Sequence, residues 1–180
     1  MASIYDTVPS WNSGSTYNKY NIVLGSDSKY YYSIIDSNIN QNPTDTNNLQ
    51  VEWDGYIVLN GNLIPNFFWK PSYNAKINLK PRIKINRFGN GYEQRVNDGI
   101  NSNLIELTLN FDNRSEIETV SILHFLNTRN AQESFIYNLP TIYSKSTTNL
   151  NTKFVCPTWG PTYISYNNYS IEATFIEVPA

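Results

Sequence analysis

The run Leu104-Ile105-Glu106-Leu107-Thr108-Leu109-Asn110-Phe111 is followed, after a short polar gap, by Ser115-Glu116-Ile117-Glu118. The first part alternates, which puts Ile105, Leu107, Leu109 and Phe111 on one face of a strand. The second is a capping box, with Ser115 as N-cap and Glu118 at the third helical position. Beyond it Val120, Ile122, Leu123, Phe125 and Leu126 make a broad apolar face, and Glu116 and Glu118 sit near the positive end of the helix dipole. A strand with one buried face, leading into one helix over about residues 116–129, predicts a helix packed on a sheet.

The surroundings are mostly β. Arg82-Ile83-Lys84-Ile85-Asn86 alternates, and so does Ser170-Ile171-Glu172-Ala173-Thr174-Phe175. Between the first of these and the Leu104 strand stands Phe88-Gly89-Asn90-Gly91-Tyr92-Glu93-Gln94-Arg95, followed by Asp98-Gly99-Ile100-Asn101. Two glycines one residue apart predict a tight turn, because glycine takes positive φ without steric cost. The turn is not a nucleotide loop. The dinucleotide pattern needs a third glycine where this chain has Gln94, and no Walker lysine follows. Tyr92, Glu93 and Arg95 have no histidine, nucleophile or second acid placed beside them by sequence, so their reading is structural, a pair that fixes loop shape or crosses a subunit interface.

Composition narrows the classes. The chain has 180 residues, a net charge of −2 and only 16% charged residues, so no overall basic excess argues for tight phosphate binding. Its 14 tyrosines and 4 tryptophans suit β-structure and contact surfaces. A single cysteine, Cys156, excludes an internal disulfide, and a single histidine, His124, excludes the usual zinc sets. Cys156 reads as a small buried residue and His124 as a packed helix residue; no metal or cofactor is expected. Met1 to Asp6 shows no secretion signal, and no run approaches the ~18 apolar residues of a membrane span.

The amino-terminal part reads separately. Residues 1–53 form a small aromatic-rich β module, residues 54–68 a connector carrying an Asn60-Gly61 hairpin signal, and residues 69–180 the main domain. Trp11, Tyr17, Tyr31 and Trp53 admit two readings. They are a platform on which a sugar ring stacks, or they are the core of a module too poor in aliphatics to hold together otherwise.

Two resemblances follow from these residues. The Phe88–Arg95 segment with Asp98–Asn101, Trp159 and the closing Ala173-Thr174-Phe175-Ile176-Glu177-Val178-Pro179 resembles the phage minor tail protein M family, the lambdoid tail-tip proteins. That resemblance implies a tail-tube-like antiparallel β-sandwich or barrel with one packed helix, and a structural virion protein rather than an enzyme. It implies a homohexameric ring at the distal end of the tail tube, with the tube protein above and the hub and host-recognition proteins below. Such a chain is made in the host cytoplasm and resides in the tail tip. Phe88, Gly89, Gly91, Tyr92, Glu93, Gln94 and Arg95 are then the candidate contact to a neighbouring subunit or to the tube. The order Trp11, Tyr17, Val23, Tyr31, Asn42-Pro43, Trp53 is similar to small chitin-type carbohydrate-binding modules, which implies contact with host glycans or with neighbouring tip proteins. Tyr20 stands where those modules have a glycine.

Two rivals come from other classes. One is a free-standing glycan-binding protein with a β-sandwich carrier. The other is a glycan hydrolase, which needs a positioned carboxylate pair; Glu93 and Asp98 are present but not at a supporting spacing.

Overall fold

A computed structural model describes residues 7–73, 75–100, 102–139 and 152–179. Residues 1–6 of the module and Asn101, the end of the glycine-turn motif, lie outside the described residues.

The amino-terminal part is built from short strands: β1 (Thr16–Tyr17), β2 (Ile22–Leu24), β3 (Tyr30–Ser33), β4 (Asn38–Ile39) and β5 (Trp53–Asp54). They pair as β1–β4 and as a three-stranded sheet in the order β2-β3-β5. A hairpin follows, β6 (Tyr56–Leu59) and β7 (Asn62–Pro65). Its two-residue turn is the anticipated Asn60-Gly61, with φ of 49° and 76°, the doubly positive pair that matches the twist of the flanking strands.

The larger part carries β8 (Lys76–Pro81), β9 (Ile83–Arg87), β10 (Glu93–Asn97), β11 (Asn103–Arg114), α1 (Glu116–Arg129), β12 (Phe135–Ile136), β13 (Lys153–Ser165) and β14 (Asn168–Glu177). Five of these strands form one antiparallel sheet in the order β12-β13-β14-β11-β8. The fold is mainly β, with several antiparallel sheets and, among the described residues, one α-helix packed against β13 and β14.

The expected alternation of β11 is what builds this core. Ile105, Leu107, Leu109 and Phe111 are all buried, and β14 supplies Ile171, Ala173 and Phe175 beside them. From α1 come Ile122, Leu123, Phe125 and Leu126. Val120, counted with that face in the sequence, is only half-buried. The helix starts as expected, since Ser115 Oγ accepts the Glu118 N–H at 3.4 Å. The capping box is not reciprocal, however. The Glu118 carboxylate turns to Arg114 Nη1 at 2.8 Å, because the guanidinium one residue before the cap offers a stronger donor.

Phe67 is the hub of the aromatic packing. Its ring centroid lies 5.0–5.8 Å from those of Trp69, Phe111, Phe125, Phe135, Tyr137 and Phe175. The amino-terminal part contributes to the same core through Tyr32, whose fully buried ring meets Trp69 and Phe125. Gly55 makes this approach possible: a Cβ there would lie 2.8 Å from the Tyr32 ring.

Candidate functional site

The glycine turn is the tip of a projecting arm. β9 and β10 pair with each other and with no other strand, in register Glu93↔Arg87, Gln94↔Asn86, Arg95↔Ile85, Val96↔Lys84 and Asn97↔Ile83. The Phe88 N–H closes the loop onto Tyr92 O at 2.8 Å. Within the loop the left-handed residues are Asn90, φ 65°, and Gly91, φ 80°; Gly89 does not need positive φ. The sequence reading gave that role to both glycines. Asparagine has taken one of the two places, as its short polar side chain allows. At neither glycine would a Cβ meet any neighbour, so Gly91 is required for its backbone conformation and not for space.

The arm exposes apolar groups that its own chain leaves uncovered. Ile83, Ile85, Phe88, Tyr92 and Val96 are all exposed, Tyr92 at 78%. Partners in the register share a face. Ile83 and Ile85 therefore stand with Asn97, Arg95, Arg87 and Glu93 on one side, and Lys84 and Val96 with Asn86 and Gln94 on the other. Glu93 lies between two cations, 3.2 Å from Arg87 Nε and 3.3 Å from Arg95 Nη2. A carboxylate held between two guanidiniums braces the hairpin and is not placed as an acid or base for chemistry. The sequence reading placed the contact at the tip and read Arg82–Asn86 only as an alternating strand, although Lys76-Ile77-Asn78-Leu79-Lys80-Pro81-Arg82-Ile83-Lys84-Ile85 alternates cationic or polar with apolar residues over its whole length.

The four aromatic candidates of the amino-terminal part are mostly interior. Tyr31 and Trp53 are fully buried, Tyr17 is 8% exposed, and together with Val23, Leu49 and Tyr56 they form a second core cluster. Tyr17 and Trp53 meet edge to face at 5.4 Å. Polar atoms of these rings are also engaged: Trp53 Nε1 donates to Gln41 O at 2.9 Å, and Tyr31 Oη to Asp27 Oδ2 at 2.9 Å. These rings have no free face for a sugar. Of the two readings, the core reading describes Tyr17, Tyr31 and Trp53, because so small a sheet has few other side chains to bury. Trp11 alone is half-buried and packs on the edge of that cluster.

The junction between the two parts is polar and buried. Tyr32 Oη lies 3.0 Å from His124 Nδ1, and the Tyr30 ring stands edge-on to the imidazole at 4.7 Å. Burial lowers the His124 pKa to about 4, so the ring is neutral, and it shares one hydrogen bond with the Tyr32 hydroxyl whose direction follows the imidazole tautomer. Arg129, 4% exposed, lies 3.5 Å from the Phe125 ring centre and 5.6 Å from that of Tyr56. Tyr20 lies near Glu118, and burial followed by that carboxylate raises its pKa to about 12. Tyr20 has φ 71°, a conformation that favours glycine, and packs its ring against the main core. Cys156 is buried, and desolvation raises its thiol to about 12, which leaves it unreactive.

A sequence model of the family described as phage minor tail protein matches residues 65–179. The chain belongs to the phage minor tail protein family. No curated protein matches the sequence. The family match begins at Pro65, the last residue of β7, and takes in the five-stranded sheet, the arm and α1. Strands β1 to β6 lie outside it. As a minor tail protein the chain is a structural component of the virion tail, where it meets other tail proteins. Among the described residues no helix is long and apolar enough to cross a membrane.

Proposed function

We propose that this minor tail protein forms a closed ring at the distal end of the tail tube, of the lambdoid tail-tip kind, joining tube to hub without enzymatic activity. The observation that carries the reading is the arm. A hairpin bearing Ile83, Ile85, Phe88, Tyr92 and Val96 in the open has apolar surface that an assembled particle covers. A ring needs each subunit to offer two different complementary surfaces, and a projecting arm is one of them. The Phe88–Arg95 tip is the subunit or tube contact. Arg95→Ala is expected to impair tail assembly while leaving the melting temperature of the isolated chain nearly unchanged, since its ion pair is solvent-exposed. Tails that assemble normally with Arg95→Ala would remove the tip from the interface.

Cryo-electron microscopy of virions carrying a labelled amino terminus tests the ring itself. Closed-ring density at the far end of the tube is the expected result; label scattered along fibres, or absent from the particle, would overturn it. Glycan contact by the amino-terminal module centres on Trp11, the one of the four candidate rings that is not in the core. A glycan array read with the parent chain and with Trp11→Ala checks that contact, and equal signals would leave the module as a brace between tip proteins.

A further inference from the structure

The arm is not only apolar; it is cationic. From β8 to the end of β10 the chain places Lys76, Lys80, Arg82, Lys84, Arg87 and Arg95 against the single acid Glu93. Lys80 is paired with Glu106 at 2.7 Å, and Glu93 is shared between Arg87 and Arg95. Among the described residues Arg82 reaches only a backbone carbonyl, that of Asp98, at 3.4 Å. Positive charge is therefore left over along the shaft. The overall charge of −2 conceals it, because the amino-terminal part is biased the other way.

That part carries Asp6, Asp27, Asp36, Asp45, Glu52 and Asp54 against Lys19 and Lys29. Asp27 is paired with Lys29, and Asp54 is buried. Asp36, Asp45 and Glu52 form no ion pair among the described residues; Asp36 Oδ1 accepts the Lys19 N–H and Asp45 Oδ1 the Asn47 N–H, both at 3.0 Å, and backbone hydrogen bonds bring their segments to one corner. The Ile34 N–H and Asn38 Nδ2 both donate to Glu52 O, at 3.0 and 3.2 Å, which holds residues 34–39 beside residue 52. The Asn48 N–H donates to Asp45 O and the Glu52 N–H to Asn48 O, which brings the 45–48 turn to the same place. The corner also exposes Ile35, Ile39 and Val51, at 39, 52 and 58%. It sets apolar side chains beside acids, as the arm sets Ile83 and Ile85 beside Arg87 and Arg95 on one face and Val96 beside Lys84 on the other. Glu52 is half-buried, and its Oε2 is a buried oxygen with no hydrogen-bond partner among the described residues, so Asp36 and Asp45 supply the exposed charge of the corner.

We propose that the arm of one copy docks on this acidic corner of a second copy. The proposal rests on the ring reading and supplies its second surface. The two patches differ and are complementary in charge and in apolar character. The contact is therefore heterologous, and repeating it head to tail closes a ring when the rotation permits. It also gives the strands outside the family match a task in assembly.

A charge-swap experiment on the full chain tests this, read by light scattering and sedimentation at low and high salt. One variant reverses the arm, Lys84→Glu with Arg95→Glu. The other reverses the corner, Asp36→Lys with Asp45→Lys. All four sites are exposed, and a melting curve confirms that each variant is folded. Each variant alone is expected to lose self-association by at least about tenfold in affinity, because like charges then face each other. Mixing the two is expected to restore assemblies with the variants in equal numbers, since the acidic arm now meets the basic corner and the native arm meets the native corner. High salt weakens parent and mixture alike.

A corner-reversed variant that associates like the parent would overturn the proposal and leave the arm as a contact to another surface. A parent chain that stays monomeric would overturn self-docking and assign the arm to a different tail protein, with the family's place in the tail untouched. Arm-dependent retention on double-stranded DNA without self-association would overturn it in favour of a polyanion partner.

Discussion

Asp54 and His124 are two buried ionisable side chains with opposite demands. Desolvation raises the Asp54 pKa from 3.8 to about 6, against hydrogen bonds from Asn66 and Gly55 that lower it. The folded chain therefore binds more protons at this site than the unfolded chain, and stability from Asp54 is lost as pH rises from 3.8 through 6. His124 is lowered from 6.5 to about 4 by burial and the nearby Arg129. There the unfolded chain binds more protons, so stability is lost as pH falls from 6.5 towards 4. The two slopes oppose each other in the same window. Both donors to Asp54, the Gly55 N–H at 2.7 Å and Asn66 Nδ2 at 2.8 Å, go to the same oxygen, Oδ1. Asp54→Asn keeps that acceptor and removes the buried charge. It is expected to stabilise the chain at neutral pH by on the order of 1–3 kcal/mol, and to uncover the His124 slope. Urea unfolding of parent and variant across pH 3.8 to 6.5 checks both points. An unchanged pH profile would mean that Asp54 has the same pKa in the folded and the unfolded chain.

Helix α1 is the element most exposed to tests of its ends. Ser115→Ala removes the acceptor for the Glu118 N–H and is expected to cost about 1 kcal/mol, read as a lower denaturant midpoint. The carboxy end invites the opposite change. Asn130 and Ala131 follow the helix with φ of 45° and 57°, and alanine gains nothing from its side chain in that conformation. Ala131→Gly is expected to stabilise by up to about 1 kcal/mol, and a loss of stability would show that entropy in the unfolded chain outweighs the strain. The start of α1 was legible because its signals are local, a cap and an acid three residues apart. β11 was legible for the same reason, its alternation running through one uninterrupted stretch. The Tyr32–His124 contact spans 92 positions, and no periodicity in either segment announces it. The aromatic candidates show a related limit. Tyr31 and Trp53 have the composition of a sugar platform and of a core alike, and only burial separates the two. At the arm, Gly89-Asn90-Gly91 declared the turn. A strand that alternates looks the same whether its apolar face meets its own core or stands in solvent, so the exposure of the shaft was hidden.

Among the described residues the arm projects from a packed body, and the two should separate experimentally. The body is tied across its two parts by Tyr32 in the main core, by Tyr20 near Glu118 and by Arg129 between Phe125 and Tyr56. The arm makes no such ties. None of the side chains of β9 or β10 is buried, and the ion pairs along them are exposed. Replacing residues 83–97 by a short Asn-Gly turn therefore removes almost no buried apolar area, the term that dominates folding. The shortened chain is expected to melt within a few degrees of the parent, because surface changes away from the core alter stability little. The same deletion takes away Ile83, Ile85, Phe88, Tyr92 and Val96 together with Lys84, Arg87 and Arg95, and with them the assembly contact. Thermal melting and light scattering on one preparation distinguish these effects. Intact melting with lost association is the expected pair of results. A large drop in melting temperature would show instead that the arm folds back as part of the body, and that its apolar residues serve stability and not assembly.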